Sequence, residues 1–203
     1  MKPNTDERLL EATLKLISEK GYLRATTKDI AREAGVTEVT LFRHFGSKER
    51  LFEEVINKYT FLPSLRDLLS EISEYSDSYE KVLHAIGVLF FETLKERKSL
   101  VKIMTSEINI YPEKIREIYT QFIDETDRVL AGYFRSQQKK GMLRRFSPEM
   151  AAGVFFGMIF SCFRLEEIVK RRDVRKKELD GIIKGFVEIF VHGTLKGEQD
   201  YFT

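Results

Sequence analysis

A single cysteine, Cys162, stands in the whole 203-residue chain. No disulfide can close within it, and a reducing cytoplasm is the expected compartment. No apolar run reaches the roughly 18 residues a membrane span requires. The stretch that comes nearest, Met150 to Phe163, is interrupted by Gly153, Gly157 and Ser161. Met1-Lys2-Pro3 leads directly into charged sequence, so no secretory signal is expected and no membrane partner either. Prolines are few. The four, Pro3, Pro63, Pro112 and Pro148, each suit a helix start or a break. No alternating apolar and polar run bounded by hairpin turns is present, which argues against β structure. Histidines are scarce and scattered at His44, His84 and His192, without the paired spacing of a metal site. A glycine-rich phosphate loop is missing, and Cys162 has no histidine close in sequence. The expectation is therefore no catalytic residue, no metal and no cofactor: not an enzyme.

What is present is helix-forming and globular. Apolar residues make up 42% and charged residues 33%, which separates the chain from disordered sequences. The net charge of +2 lies wholly within residues 1–50, which hold ten Lys/Arg against eight Asp/Glu. That distribution is compatible with nucleic-acid contact without establishing it.

The first helix is expected from Asn4 or Thr5, where Asn4 and Glu7 have capping-box spacing, to Lys20, with Gly21 as its stop. Leu10, Leu14 and Ile17 form its apolar stripe. A short second helix follows Thr27, read as its N-cap, and ends at Ala34-Gly35. A third follows Thr37 and ends near Phe45-Gly46. Ser47 caps a fourth running toward Phe61, with Pro63 marking a break or kink. Longer helices are expected near 64–75, 79–97, 99–109, 113–139, 149–171 and 175–195. The fold class is all-α with about nine helices in total.

The informative segment is 26–45. Two short helices meet at Gly35-Val36-Thr37, where Gly35 supplies a positive φ. Ala31 is small where the helices must cross, and Ile30, Ala34, Val36 and Leu41 can form the seam between them. A steep helix pair across a short turn containing glycine is the helix-turn-helix signature. Its second helix enters the major groove with its N-terminal residues against base edges. Thr27 and Thr37 place hydroxyls at helix N-termini, which favour phosphate. Thr40, Arg43, His44 and Lys48 can reach flanking phosphates. Glu38 can accept from cytosine N4, and Val39 can touch a thymine methyl.

In this stretch the chain resembles the TetR family of bacterial one-component regulators. The residues that carry the resemblance are Ala25-Thr26-Thr27, Ile30-Ala31, Ala34-Gly35-Val36-Thr37, Thr40-Leu41-Phe42, His44-Phe45, Lys48 and Leu51, with Gly21-Tyr22 upstream. They cover about residues 5–60. The resemblance implies a DNA-binding domain over 3–62, with its helix-turn-helix at 27–45, and an effector-binding and dimerisation domain over 63–203. It implies a homodimer on a palindromic double-stranded operator, usually a repressor released by a small ligand. By motif position, Thr27, Thr40, Phe42, His44 and Lys48 would meet the DNA backbone, while Thr37, Glu38, Val39 and Arg43 would face the groove; Lys28 joins this DNA-facing set. Two departures stand out. Phe42 replaces the usual tyrosine, whose hydroxyl would bond phosphate, and Glu38-Val39 replaces a common basic-plus-glycine pair.

The remainder of the chain is rich in aromatics. Phe90, Phe91, Tyr119, Phe122, Phe155, Phe156 and Phe160, with Met104, Ile108 and Met158, form the candidate wall of an effector pocket, although aromatics at helical spacing are individually more often core than ligand wall. So few polar groups interrupt the set that an apolar or amphipathic effector is expected, acyl or aromatic. Gly153 and Gly157, with Ile182, Phe186, Ile189 and Phe190, form the candidate dimer surface. The basic run Lys170-Arg171-Arg172 and Arg175-Lys176-Lys177 reads as a solvated loop. An alternative to the ligand-responsive regulator is a DNA-binding adaptor with a filled dimer core and no small-molecule effector.

Overall fold

A computed structural model describes residues 3–72 and 78–195. Among these, helix dominates and no β-strand occurs. The chain divides into two compact units.

The first unit comprises Met1–Thr60 and Arg97–Phe122. It contains α1 (Thr5–Lys20), α2 (Thr27–Glu33), α3 (Glu38–Phe45), α4 (Lys48–Tyr59) and α7 (Lys98–Glu107), then a 3-10 turn, Ile108–Ile110, and the first part of α8 (Glu113–Lys139). Local chemistry sets these boundaries. Asn4 Oδ1 accepts from the Glu7 N–H at 2.8 Å while Glu7 Oε2 accepts from the Asn4 N–H at 3.1 Å, the expected capping box. Gly21 ends α1 at φ +82° and Gly35 takes φ +67° in the turn before α3. Ser47 caps α4 through the Arg50 N–H. One cap is corrected. Thr26, not Thr27, is the N-cap of α2, with its hydroxyl accepting from the Asp29 N–H at 3.1 Å. α1 packs on α2, α4 and α7. Leu9, Ile17, Ile30, Leu41, Leu51 and Phe52 are fully buried at the centre, joined by Leu100, Met104, Tyr111 and Ile115 from the later segment. Beside the 3–62 expected from the sequence, this unit stops at Thr60 and takes in 97–122.

The second unit comprises Phe61–Glu96 and Ile123–Thr203. It contains α5 (Phe61–Ile72), α6 (Tyr79–Glu96), the rest of α8, α9 (Pro148–Phe163) and α10 (Lys176–Thr194). The 73–75 end of the expected 64–75 helix lies outside the described residues. The break before α5 falls at Thr60, which is extended. Pro63 therefore sits in the first turn of α5, where its missing N–H leaves no bond unmade. Ser147 caps α9 with Pro148 at its first position. α9 continues into a π-helical segment, Arg164–Val169, and α6 packs against α5, α9 and α10.

The basic run after α9 is more ordered than a solvated loop. Glu166 binds Lys170 at 2.8 Å and Arg172 at 2.7 Å. Arg172 also pairs with Glu178. The buried Glu167 accepts the Val174 N–H at 2.8 Å, and Lys95 of α6 reaches the Val174 carbonyl at 2.7 Å. These bonds pin the connection between α9 and α10 to α6.

Candidate nucleic-acid interface

The reading head is α3 held over α2. Leu41 is fully buried and anchors α3 from below. With about 100° per residue, Val39, Phe42 and Arg43 then share the opposite face. Val39 is 78% exposed, Phe42 45% exposed, and Arg43 exposed. Arg43 and the exposed Lys28 make no hydrogen bond or ion pair among the described residues, so both cations are available to an external anion.

Other members of the expected DNA-facing set are engaged within the protein. The Thr37 hydroxyl caps α3, accepting from the Thr40 N–H at 3.2 Å, and lies 2.9 Å from the Thr40 hydroxyl. The Thr27 hydroxyl, freed of capping, donates instead to the Glu38 carboxylate. His44 Nδ1 lies 2.5 Å from Asp6 Oδ1 on α1. Lys48 Nζ donates to the Tyr22 carbonyl at 2.5 Å and sits 4.0 Å from the centre of the Tyr22 ring. Burial pushes the Lys48 ammonium below the usual lysine range.

Tyr22 is the hub of this corner. It is buried, packs edge-on to Phe52 at 5.3 Å and Tyr111 at 6.1 Å, and donates its hydroxyl to Glu49 at 3.2 Å. Burial pushes its phenol well above the usual range. Glu107, at the end of α7, closes the same corner, accepting from the Tyr111 hydroxyl at 3.2 Å and from Arg24 at 3.4 Å. On the other flank, Lys20 reaches Asp29 at 2.7 Å and Lys15 reaches Glu33 at 2.5 Å, tying α1 to α2. Hydrogen bonds from Lys20 and Thr26 hold the Asp29 carboxyl down at about 2. Sequence reasoning missed Asp6, Asp29 and Glu107 as supports. Only Asp29 carried a local signal, since it lies three residues after Thr26 as in an N-terminal cap.

The candidate effector residues fall in both units. Met104 is buried in the first unit, where Ile108, Tyr119 and Phe122 pack against the core. Phe90, Phe91, Phe155, Phe156, Met158 and Phe160 belong to the second unit. There Phe91 and Phe155 are fully buried. Phe90, Phe156 and Phe61 form a triangle with ring centres 4.8, 5.5 and 4.8 Å apart. Phe61 was not anticipated as its third member.

The candidate dimer residues also divide. Ile189 is 69% exposed, Gly157 is open to solvent, and Gly153, Ile182 and Phe186 are half-buried. Phe190, expected on the outer face, is instead buried within its own unit against Phe134 at 5.7 Å and Phe155 at 5.3 Å. It lies about 100° around the helix from Ile189, which turns it inward. Met150 and Val154 of α9, not anticipated, are exposed at 64% and 51% on the same edge as Gly157.

A helix-turn-helix on a capped three-helix head, followed by a larger helical unit, defines a DNA-binding regulator. Residues 9–55 match the family model described as bacterial regulatory proteins, tetR family. Residues 81–193 match the AefR-like transcriptional repressor, C-terminal domain. The chain is 33% identical over 163 residues to the HTH-type transcriptional regulator YvkB of Bacillus subtilis, covering 80% of this chain and 82% of that one. It is 26% identical over 180 residues to the nucleoid occlusion factor SlmA of Marinobacter nauticus, covering 86% and 88%. Among solved structures, the transcriptional regulator FadR of Bacillus subtilis in complex with stearoyl-CoA shares the fold, with a TM-score of 0.72 at 17% identity over 92% of this chain and 97% of that one. The flavonoid-responsive regulator FrrA does so with a TM-score of 0.69 at 22% identity over 94% and 97%. The chain belongs to the TetR family of transcriptional regulators. These are DNA-binding regulators and not enzymes. Among the described residues, no helix is long and apolar enough to cross a membrane.

Proposed function

We propose that this protein is a cytoplasmic, homodimeric repressor that leaves a palindromic operator when a small apolar or amphipathic effector binds. The observation that carries the DNA half is α3 itself. Its buried side is fixed by Leu41, and its outer face offers Val39 and the unpaired Arg43. Lys28, Thr40, Phe42, His44 and Lys48 are the assigned flanking contacts, while the Thr27 hydroxyl is held by Glu38; Lys48 acts there through its hold on Tyr22 as well as its charge.

The effector half is supported by chemistry and by likeness. The buried Phe156, with the half-buried Phe90, Met158 and Phe160, gives the second unit an apolar, adaptable set of side chains. Solved relatives by fold include a regulator with stearoyl-CoA and one responsive to flavonoids, an acyl and an aromatic ligand. The dimer surface is assigned to the exposed edge of α9 and α10, where Met150, Val154, Gly157, Phe186 and Ile189 would meet a second copy. The effector would favour one of two arrangements of the dimer and so move the recognition helices off one-turn spacing.

A second reading is an adaptor with a filled core. The full burial of Phe91 and Phe155 favours it, as does the likeness to nucleoid occlusion factors. Mass spectrometry of the natively purified protein separates the two. A co-purifying acyl or aromatic molecule that lowers operator affinity on add-back supports the repressor. A ligand-free protein that binds neither class supports the adaptor.

A further inference from the structure

Glu38 leads the recognition helix, and by position alone it is a candidate base reader. Its surroundings give it another task. On α3, Glu38 lies about 100° from Val39, on the flank that faces α2. It is only partly exposed, and its carboxylate accepts the Thr27 hydroxyl, the first residue of α2. Thr27 is free to make this bond because Thr26 does the capping. The bond is charge-assisted, the stronger kind, and it spans the turn that sets the angle between the two helices. Thr37, the other polar group at this end, is likewise committed to Thr40. Beside the exposed Phe42 ring at the edge of the outer face, Val39 with its methyls and Arg43 with its guanidinium keep their chemistry free, one helical turn apart.

We propose that Glu38 is a positioning residue that fixes α3 against α2 through Thr27, and that Val39 and Arg43 read the half-site, as a thymine methyl and a guanine respectively. A guanidinium matches guanine O6 and N7, and a branched apolar side chain matches the thymine C5 methyl. The assignment rests on the reading that α3 enters the major groove.

Selection from a random duplex library tests it, with wild type, Glu38→Gln, Thr27→Val and Thr27→Ser compared. Glutamine keeps the acceptor for Thr27 but pairs with adenine, not cytosine, if it reads a base. The proposal expects Glu38→Gln to enrich the wild-type motif unchanged, Thr27→Val to bind all sequences more weakly, and Thr27→Ser to restore binding. Within the selected site, replacing the contacted thymine by deoxyuridine should weaken wild type about fourfold and leave Val39→Ala indifferent. Replacing the contacted guanine should weaken wild type about tenfold or more, and Arg43→Ala should lose that preference. A cytosine-to-adenine change in the motif of Glu38→Gln would overturn the assignment of Glu38, and indifference of wild type to deoxyuridine would overturn that of Val39. If wild type enriched no motif at all, the groove reading would fall together with the assignment. Should Thr27→Val fail to fold, the Glu38→Gln profile decides alone.

Discussion

Replacing Gly21 with alanine tests how the turn before α2 is built. Gly21 holds φ +82° and ψ 163°. A residue with a Cβ pays about 1–3 kcal/mol to occupy such a region. The new Cβ would also lie 2.9 Å from Glu107 Cδ, with a carboxylate oxygen closer still. That carboxylate ends a flexible side chain and can withdraw. Withdrawal gives up its bonds from Tyr111 at 3.2 Å and Arg24 at 3.4 Å. Both are long and Arg24 is exposed, so this adds about 0.5–1.5 kcal/mol. Gly21→Ala should therefore destabilise by about 1.5–4.5 kcal/mol. Urea unfolding followed by far-UV circular dichroism measures it, in wild type and in a Glu107→Ala background. In that background the collision is gone, and the alanine should cost only the backbone part, about 1–3 kcal/mol. Equal costs in the two backgrounds would refute the Glu107 contact. A cost below about 0.5 kcal/mol in both would refute the backbone argument as well.

Three further expectations concern binding, pH and assembly. Phe42→Tyr places a hydroxyl on the exposed face assigned to the DNA backbone and should raise operator affinity by up to about tenfold; a large loss in a gel-shift titration would mean the ring is packed, not poised. The Asp29 carboxyl is held at about 2 against 3.8 by its bonds from Lys20 and Thr26, so its stabilisation is complete above pH 4 and fades as pH falls toward 2. Acid unfolding of Asp29→Asn should accordingly show a shallower slope in that window, and parallel curves would contradict the linkage. Val154→Lys combined with Ile189→Lys puts charges on the proposed dimer edge and should shift sedimentation toward monomer at micromolar concentration, whereas an unchanged dimer would place the interface elsewhere.

Much of the head was legible because its determinants are local. Asn4 with Glu7, Gly21, Gly35, Thr37 and Ser47 act within four residues of themselves, so spacing alone identified them. Thr26 and Thr27 marked the limit of that reasoning. Two adjacent threonines are equivalent as caps by composition, and only the extended backbone of Thr26, at ψ 153°, distinguishes them. The partners of the DNA-facing side chains were not legible. His44 meets Asp6 across 38 residues and Lys48 meets Tyr22 across 26. No periodicity encodes such pairings. The same holds for the head's extent, since Leu100, Met104 and Tyr111 join its core through long-range packing. In the second unit, the apolar spacing identified buried helices but could not tell Phe190, turned inward, from Ile189, turned outward, because α10 is apolar on adjoining faces.

In the proposed switch, an apolar effector controls the grip of α3 on DNA. Fluorescence anisotropy of a selected operator duplex, titrated with protein in the presence and absence of saturating stearoyl-CoA or a flavonoid, tests it most directly, with binding of each compound measured in parallel by calorimetry. At least one of the two should bind the protein and weaken the operator complex by tenfold or more, about 1.4 kcal/mol of coupling. A compound that binds while operator affinity stays unchanged, or a protein that binds neither class, would contradict it.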